Sequence, residues 1–149
     1  MKSFQFNYQS ILEARRSEEK SSEQAFAAIV TRRSAIENEL VRNRHYLESN
    51  RHLARSQLTG SIDIEVLRSY AGQSVQVMRH IRSLLVEMSE VHGAMEAAKE
   101  RWIGCRRSRR SIECLRDRAH EEWRRRRRRL EIREQDDLAS MRRSRELQA

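Results

Sequence analysis

Read at alternating steps of three and four from Leu67, the chain gives Leu67, Tyr70, Ser74, Val77, Ile81, Leu84, Met88, Val91, Met95, Ala98, Trp102, Cys105, Arg109, Ile112, Arg116, Ala119, Trp123, Arg126 and Leu130. Fifteen of these nineteen positions are apolar, and the residues between them are mostly charged. A repeat averaging 3.5 residues over about nine heptads is the signature of a coiled-coil seam. At about 1.5 Å per residue, such a helix reaches roughly 95 Å. Its apolar stripe is too narrow to build a globular core alone, so it needs a partner along most of its length.

The same spacing, less regular, runs through the first part of the chain: Ser22, Phe26, Ile29, Arg33, Ile36, Leu40, Asn43, Leu47, Asn50 and Ala54, with Phe4, Tyr8 and Ile11 continuing it toward the start. It predicts a first helix over about residues 4–58. Asn43 and Asn50 at seam positions weaken burial; they either fix register and orientation or simply mark a loosely packed segment. The stretch from Leu58 to Ile64 then carries punctuation. Gly60 is a natural helix stop, and Asp63 is the better of two candidate caps, with Ser61, for a second helix over about residues 65–145. A turn as short as residues 59–64 folds two long helices back on each other. The expected fold is all-α, an antiparallel two-helix coiled-coil hairpin spanning residues 1–149, its longer second helix projecting beyond the first.

Folding the chain about that turn sets Leu47 opposite Val77, Leu40 opposite Leu84, Ile36 opposite Met88, Ile29 opposite Met95, Phe26 opposite Ala98 and Ser22 opposite Trp102. In the last two layers a large residue meets a small one, as a close-packed seam requires. Phe4 falls opposite about Ala119, so residues from about 121 onward are left without an intramolecular partner. That overhang contains Trp123, Arg124 to Arg129, Leu130 and Ile132.

Composition sharpens this picture. Charged residues make up 36% of the 149, aromatics 5%, and proline is absent, values of long helices rather than compact domains. The net charge of +9 is uneven, with residues 1–100 contributing +1 and residues 101–149 contributing +8. An acidic partner met by the C-terminal end follows from that asymmetry. No apolar run reaches the length of a membrane span, and no secretory h-region follows Met1. Cys105 and Cys114 lie nine residues apart on one helix and cannot bridge each other without breaking it, which suits a reducing cytoplasm.

No catalytic constellation is present. The histidines, His45, His52, His80, His92 and His120, form no set at metal-ligand spacing, the glycines are isolated, and a helical hairpin offers no enclosed pocket. Neither a metal nor a cofactor is called for. The arginine run admits two readings. It is either a footprint for polyphosphate, as in nucleic acid or lipid, or a helical segment paired with Glu121, Glu122, Glu131 and Glu134 at spacings of three and four. The apolar residues embedded around it, Trp123, Leu130 and Ile132, favour a protein cavity as its receptor.

Three motifs, in order, resemble the FliJ family of flagellar export proteins, related to the YscO-type stalk proteins of injectisomes. The opening Phe4, Phe6, Tyr8, Ile11, Leu12 and Arg15 is similar to that family's aromatic-rich N-terminus. Leu67, Arg68, Ser69 and Tyr70, followed by Val77 and Ile81, resemble its second-helix start. Arg133, Glu134, Gln135, Asp136, Asp137, Leu138 and Ala139 look like its charged Glu-Gln-Lys-x-Leu-Asp-Glu signature, with Asp136 in place of the usual lysine. The resemblance implies a hairpin similar to the central stalk of rotary ATPases. It implies that the ends enter the ring of a hexameric, FliI-like export ATPase and promote hydrolysis, that a face of the second helix meets a FlhA-like export gate protein, and that export chaperones are further partners.

Carried onto this chain, the resemblance assigns the ring-entering end to Phe4, Phe6, Tyr8, Trp123, Arg124, Arg125, Arg126, Arg127, Arg128, Arg129 and Leu130. It assigns gate contact to Tyr70, Gln73, Val77, His80 and Leu84, with Gln73 standing where the family often has an aromatic or aliphatic residue. The coiled-coil core is expected at Phe26, Ile29, Ile36, Leu40, Leu47, Val77, Leu84, Met88, Met95 and Trp102. The implied location is the cytoplasmic face of the inner membrane, held there by the export apparatus. Two competing readings are a basic coiled coil that binds nucleic acid, which lacks the two-chain basic-zipper layout, and a structural rod that self-associates through its seams.

Overall fold

The computed structural model describes residues 3–59 and 61–146. Two helices account for most of them: α1, Gln9–Ser56, and α2, Ile64–Glu146. They pack antiparallel on each other, no strand occurs among the described residues, and α2 is the longer by 83 residues to 48. Among the described residues no helix is long and apolar enough to cross a membrane.

The helix ends follow local chemistry. Phe4 to Phe6 stand outside α1, which opens where the Tyr8 carbonyl accepts from the Leu12 N–H at 3.0 Å. The first helix therefore begins five residues later than the aromatic spacing suggests. At its other end α1 unwinds through three-residue closures, Leu58 N–H to Arg55 O at 3.1 Å and Thr59 N–H to Ser56 O at 3.4 Å. Gly60, the expected stop, lies outside the described residues. Asp63 caps α2, its Oδ1 accepting from the N–H of Glu65 at 2.9 Å and of Val66 at 3.4 Å. Those bonds satisfy donors that a helix start leaves open.

The chain divides into two compact parts. In the turn part, Ser21–Ile103, the stripe at three-four spacing is the stripe that packs. From Ser22 to Ala54 on α1 and from Leu67 to Trp102 on α2, each seam position is half-buried or buried, with Ile36, Leu84 and Ala98 among the most enclosed. Asn50 is buried in the seam and donates from Nδ2 to the Tyr70 carbonyl at 3.2 Å and to Ser74 Oγ at 3.1 Å. Those bonds tie it to α2, whereas Asn43 turns back to Glu39 O on its own helix at 2.8 Å. A Cβ at Gly72 would meet nothing of the chain within 4 Å, so packing within the hairpin does not require glycine there.

Phe26 stacks on Trp102, with ring centroids 5.7 Å apart and planes 11° from parallel. Helical side chains lean toward their own N-terminus, and in an antiparallel pair that brings Phe26 toward the level of Ser22 and Trp102 toward the level of Ala98. The two small residues make the room in which the two large ones overlap.

In the terminal part, residues up to Lys20 with residues from Gly104 onward, the α1 seam is shifted by one position. Leu12 is fully buried while Tyr8 and Ile11 are exposed. Polar residues then take the seam. Arg109 binds both Glu19 and Glu113, and Arg16 Nη2 donates to Glu113 Oε1 at 3.0 Å. Coulomb attraction among three half-buried charges, Glu19, Arg109 and Glu113, and the exposed Arg16 replaces apolar packing at that level.

Candidate functional site

Two surfaces carry the residues that the sequence singles out. In the terminal part, α2 brings His120, Trp123 and Arg127 onto one face, because they are spaced by three and four. His120 stacks on Trp123 with centroids 5.8 Å apart and planes 19° from parallel. Phe4 closes over both, edge-on to His120 at 4.9 Å and tilted against Trp123 at 5.9 Å. The Arg127 guanidinium lies 5.6 Å from the centroid of the Trp123 ring, within cation–π range. Phe6 and Tyr8 pair with each other instead, at 5.8 Å and nearly perpendicular, and Tyr8 is exposed.

Trp123 therefore has a partner, and the unaccompanied stretch of α2 starts at Arg124 rather than at 121. From Arg124 to Leu130 every residue is exposed. Three of the six arginines are ion-paired within the helix: Arg125 with Glu121 at 3.7 Å, Arg126 with Glu122 at 3.6 Å and Arg127 with Glu131 at 2.8 Å. Arg124, Arg128 and Arg129 have no acidic partner among the described residues. Arg124, Arg127 and Arg128 line, with His120, Trp123 and Glu131, a surface groove of about 290 Å³. Its lining combines two aromatic rings with three arginines and one carboxylate.

Neighbouring charges are strongly coupled. The bond from Arg16 holds the Glu113 carboxyl below the ordinary carboxylate value against the opposing effect of its partial burial, and Arg109 assists. The bonds to Glu19 and then Glu113 hold Arg109 above its ordinary value. His120 and this four-residue cluster are absent from the site residues expected from the sequence, and Arg127 is expected there only as part of the arginine run. The i,i+3 and i,i+4 spacings of His120–Trp123, Trp123–Arg127 and Arg109–Glu113 were the available signal.

The second surface lies in the turn part. Arg32 Nε donates to Glu87 Oε1 at 2.9 Å, His80 Nε2 lies 2.7 Å from Glu39 Oε1, and the Tyr46 hydroxyl donates to Gln73 Oε1 at 2.9 Å. The three pairs advance by seven residues on each helix, which makes a polar ladder along one side of the seam. Gln73 and His80 are thus exposed but engaged with α1. Tyr70 and Val77 are half-buried, and Leu84 is only 4% exposed. Of the five residues assigned to gate contact, Leu84 is enclosed by the helix pair and out of reach of a partner while the seam is closed.

A flagellar FliJ protein family model matches residues 4–148. The chain belongs to the FliJ family. It is a component of the flagellar type III export apparatus, built as a coiled-coil hairpin and of a family whose part in that apparatus is structural. No curated protein and no solved structure matches the chain.

Proposed function

We propose that this FliJ-family chain is the stalk-like subunit that enters the export ATPase ring and stimulates ATP hydrolysis, and that it links the ring to the export gate and to export chaperones at the cytoplasmic face of the inner membrane. One observation carries the reading: α2 stays helical to Glu146, past the ring contact of Phe4 on Trp123, and presents Arg124, Arg128 and Arg129 without an acidic partner among the described residues. An isolated charged helix is poorly stable in water, so a segment of this kind is suited to a receptor. Arginine charge acts at a range that tolerates rotation within an acidic ring, while Trp123 and Leu130 supply apolar anchors. Phe6 and Tyr8 lie at the same end.

The gate contact belongs to the ladder side of the turn part. Gln73 and His80, with the exposed edges of Tyr70 and Val77, form that contact together with their α1 partners Tyr46 and Glu39. A gate protein meets the two helices jointly there, because neither Gln73 nor His80 stands alone.

The test is the hydrolysis rate of the cognate export ATPase with the full chain and with the Arg124→Glu, Arg128→Glu, Arg129→Glu variant. The full chain should stimulate, and the variant should return the rate to that of the ATPase alone while keeping native helicity. Undiminished stimulation by the variant overturns the ring assignment. Salt-sensitive retention on nucleic acid without any effect on the ATPase overturns the reading as a whole.

A further inference from the structure

Beyond Trp123 the seam stripe of α2 does not stop. Leu130, Leu138 and Met141 continue it, each more than half exposed at 52%, 58% and 61%. The charges around them are arranged in blocks. Arg124 to Arg129 form a basic block, and Glu131, Glu134, Asp136 and Asp137 form an acidic one broken only by Arg133. Glu134, Asp136 and Asp137, like Arg124, have no ion pair among the described residues. From His120 to Met141 there are seven arginines and six acidic residues, so the segment is nearly neutral although the chain carries +9.

We propose that the segment His120–Met141 pairs antiparallel with the same segment of a second copy, about a two-fold axis between residues 130 and 131. In that register Trp123 of one copy stands level with Leu138 of the other, Arg124 with Asp137 and Arg127 with Glu134. Each correspondence occurs twice, as an isologous interface requires. The two Leu130 side chains meet near the axis. Arg128 and Arg133 share a level, as do Arg125 and Asp136, but Arg128 and Arg125 project from the far side of the helix, about 140° and about 160° round from Trp123 at 3.6 residues per turn.

Charge selects both the occupant and the direction. A parallel pairing sets the six arginines against their own copies, which costs free energy through like-charge repulsion. An antiparallel pairing sets Arg124 and Arg127 level with Asp137 and Glu134 instead. The apolar stripe supplies the contact that ion pairs alone do not, since exposed pairs are individually weak. This pairing is a property of the chain by itself and does not rest on the export reading.

The experiment is sedimentation of the full chain and of charge variants, with helicity followed by circular dichroism. The wild type should form a dimer that weakens with salt. Glu134→Arg with Asp137→Arg should raise the dimer dissociation constant by about tenfold or more, and adding Arg124→Asp with Arg127→Glu should restore it. In a background of Cys105→Ser and Cys114→Ser, Leu130→Cys should form an interchain disulfide much faster than Leu85→Cys, whose position is exposed elsewhere on α2. A chain that stays monomeric at every concentration, a fourfold charge swap that fails to recover pairing, or equal rates at positions 130 and 85 overturns the proposal. Because no ATPase is present, such a failure leaves the ring reading standing, and loss of ATPase stimulation leaves this one standing.

Discussion

Phe26 and Trp102 stack face to face across the two helices, with centroids 5.7 Å apart, although a straight register sets each opposite a small residue. The stack depends on that arrangement. Ala98 is 5% exposed beneath it, and a larger side chain there occupies the space into which Trp102 leans.

Trp102→Ala should therefore lower the stability of the hairpin by about 3 kcal/mol, near the lower end for truncation of a large aromatic because the ring is only half-buried. Ala98→Leu should also destabilise, by about 1–3 kcal/mol, through overpacking against the stacked rings. Urea unfolding read by far-UV circular dichroism checks both. A stabilised Ala98→Leu variant contradicts the packing described.

The acid sensitivity of the terminal part should centre on Glu113. Its folded value is depressed, chiefly by Arg16, below the ordinary 4.5, so it binds its proton less readily folded than unfolded. The sign follows: the contribution is fully present above the unfolded value and is lost as pH falls through the depressed folded one. Glu113→Gln should melt lower than wild type at neutral pH, and the gap should close progressively below 4.5. Thermal melts across the acid range test this. A gap that is constant with pH assigns the effect to lost packing instead of to the charge.

The hairpin was legible because one physical requirement, burial of a narrow stripe at 3.5-residue spacing, governs both helices. Asp63 was legible as a cap for an equally local reason, since its carboxylate needs only the N–H groups two and three residues on. The first twenty residues were harder to read. The aromatic spacing suggests helix from Phe4, yet Phe4 leaves the helix to cover His120 and Trp123, and Leu12 takes the buried position that Ile11 was expected to fill. Tertiary contact outweighs periodicity where a helix begins, because fraying there costs little. The polar cluster around Arg109 escaped for another reason. Its partners Glu19 and Arg16 come from the other helix, and a seam arginine gives no sign of which distant carboxylate will meet it.

Leu84 and Gln73 separate packing from recognition on α2. Leu84 is 4% exposed in the seam, whereas Gln73 sits on the outside with its Oε1 2.9 Å from the Tyr46 hydroxyl. Leu84→Ala should cost about 2–5 kcal/mol by opening a cavity between the helices. Gln73→Ala should change stability by no more than about 0.5 kcal/mol, as for most surface substitutions. For binding to the export gate protein, the order should reverse once folding is controlled. Gln73→Ala combined with His80→Ala should weaken gate capture at a temperature where the hairpin is fully folded, and Leu84→Ala should weaken it only where the hairpin begins to melt. Capture by immobilised gate protein, measured alongside circular dichroism at two temperatures, decides between them. Loss of capture by a fully folded Leu84→Ala chain means that the seam opens to admit the gate, and that the ladder side is not the recognition surface.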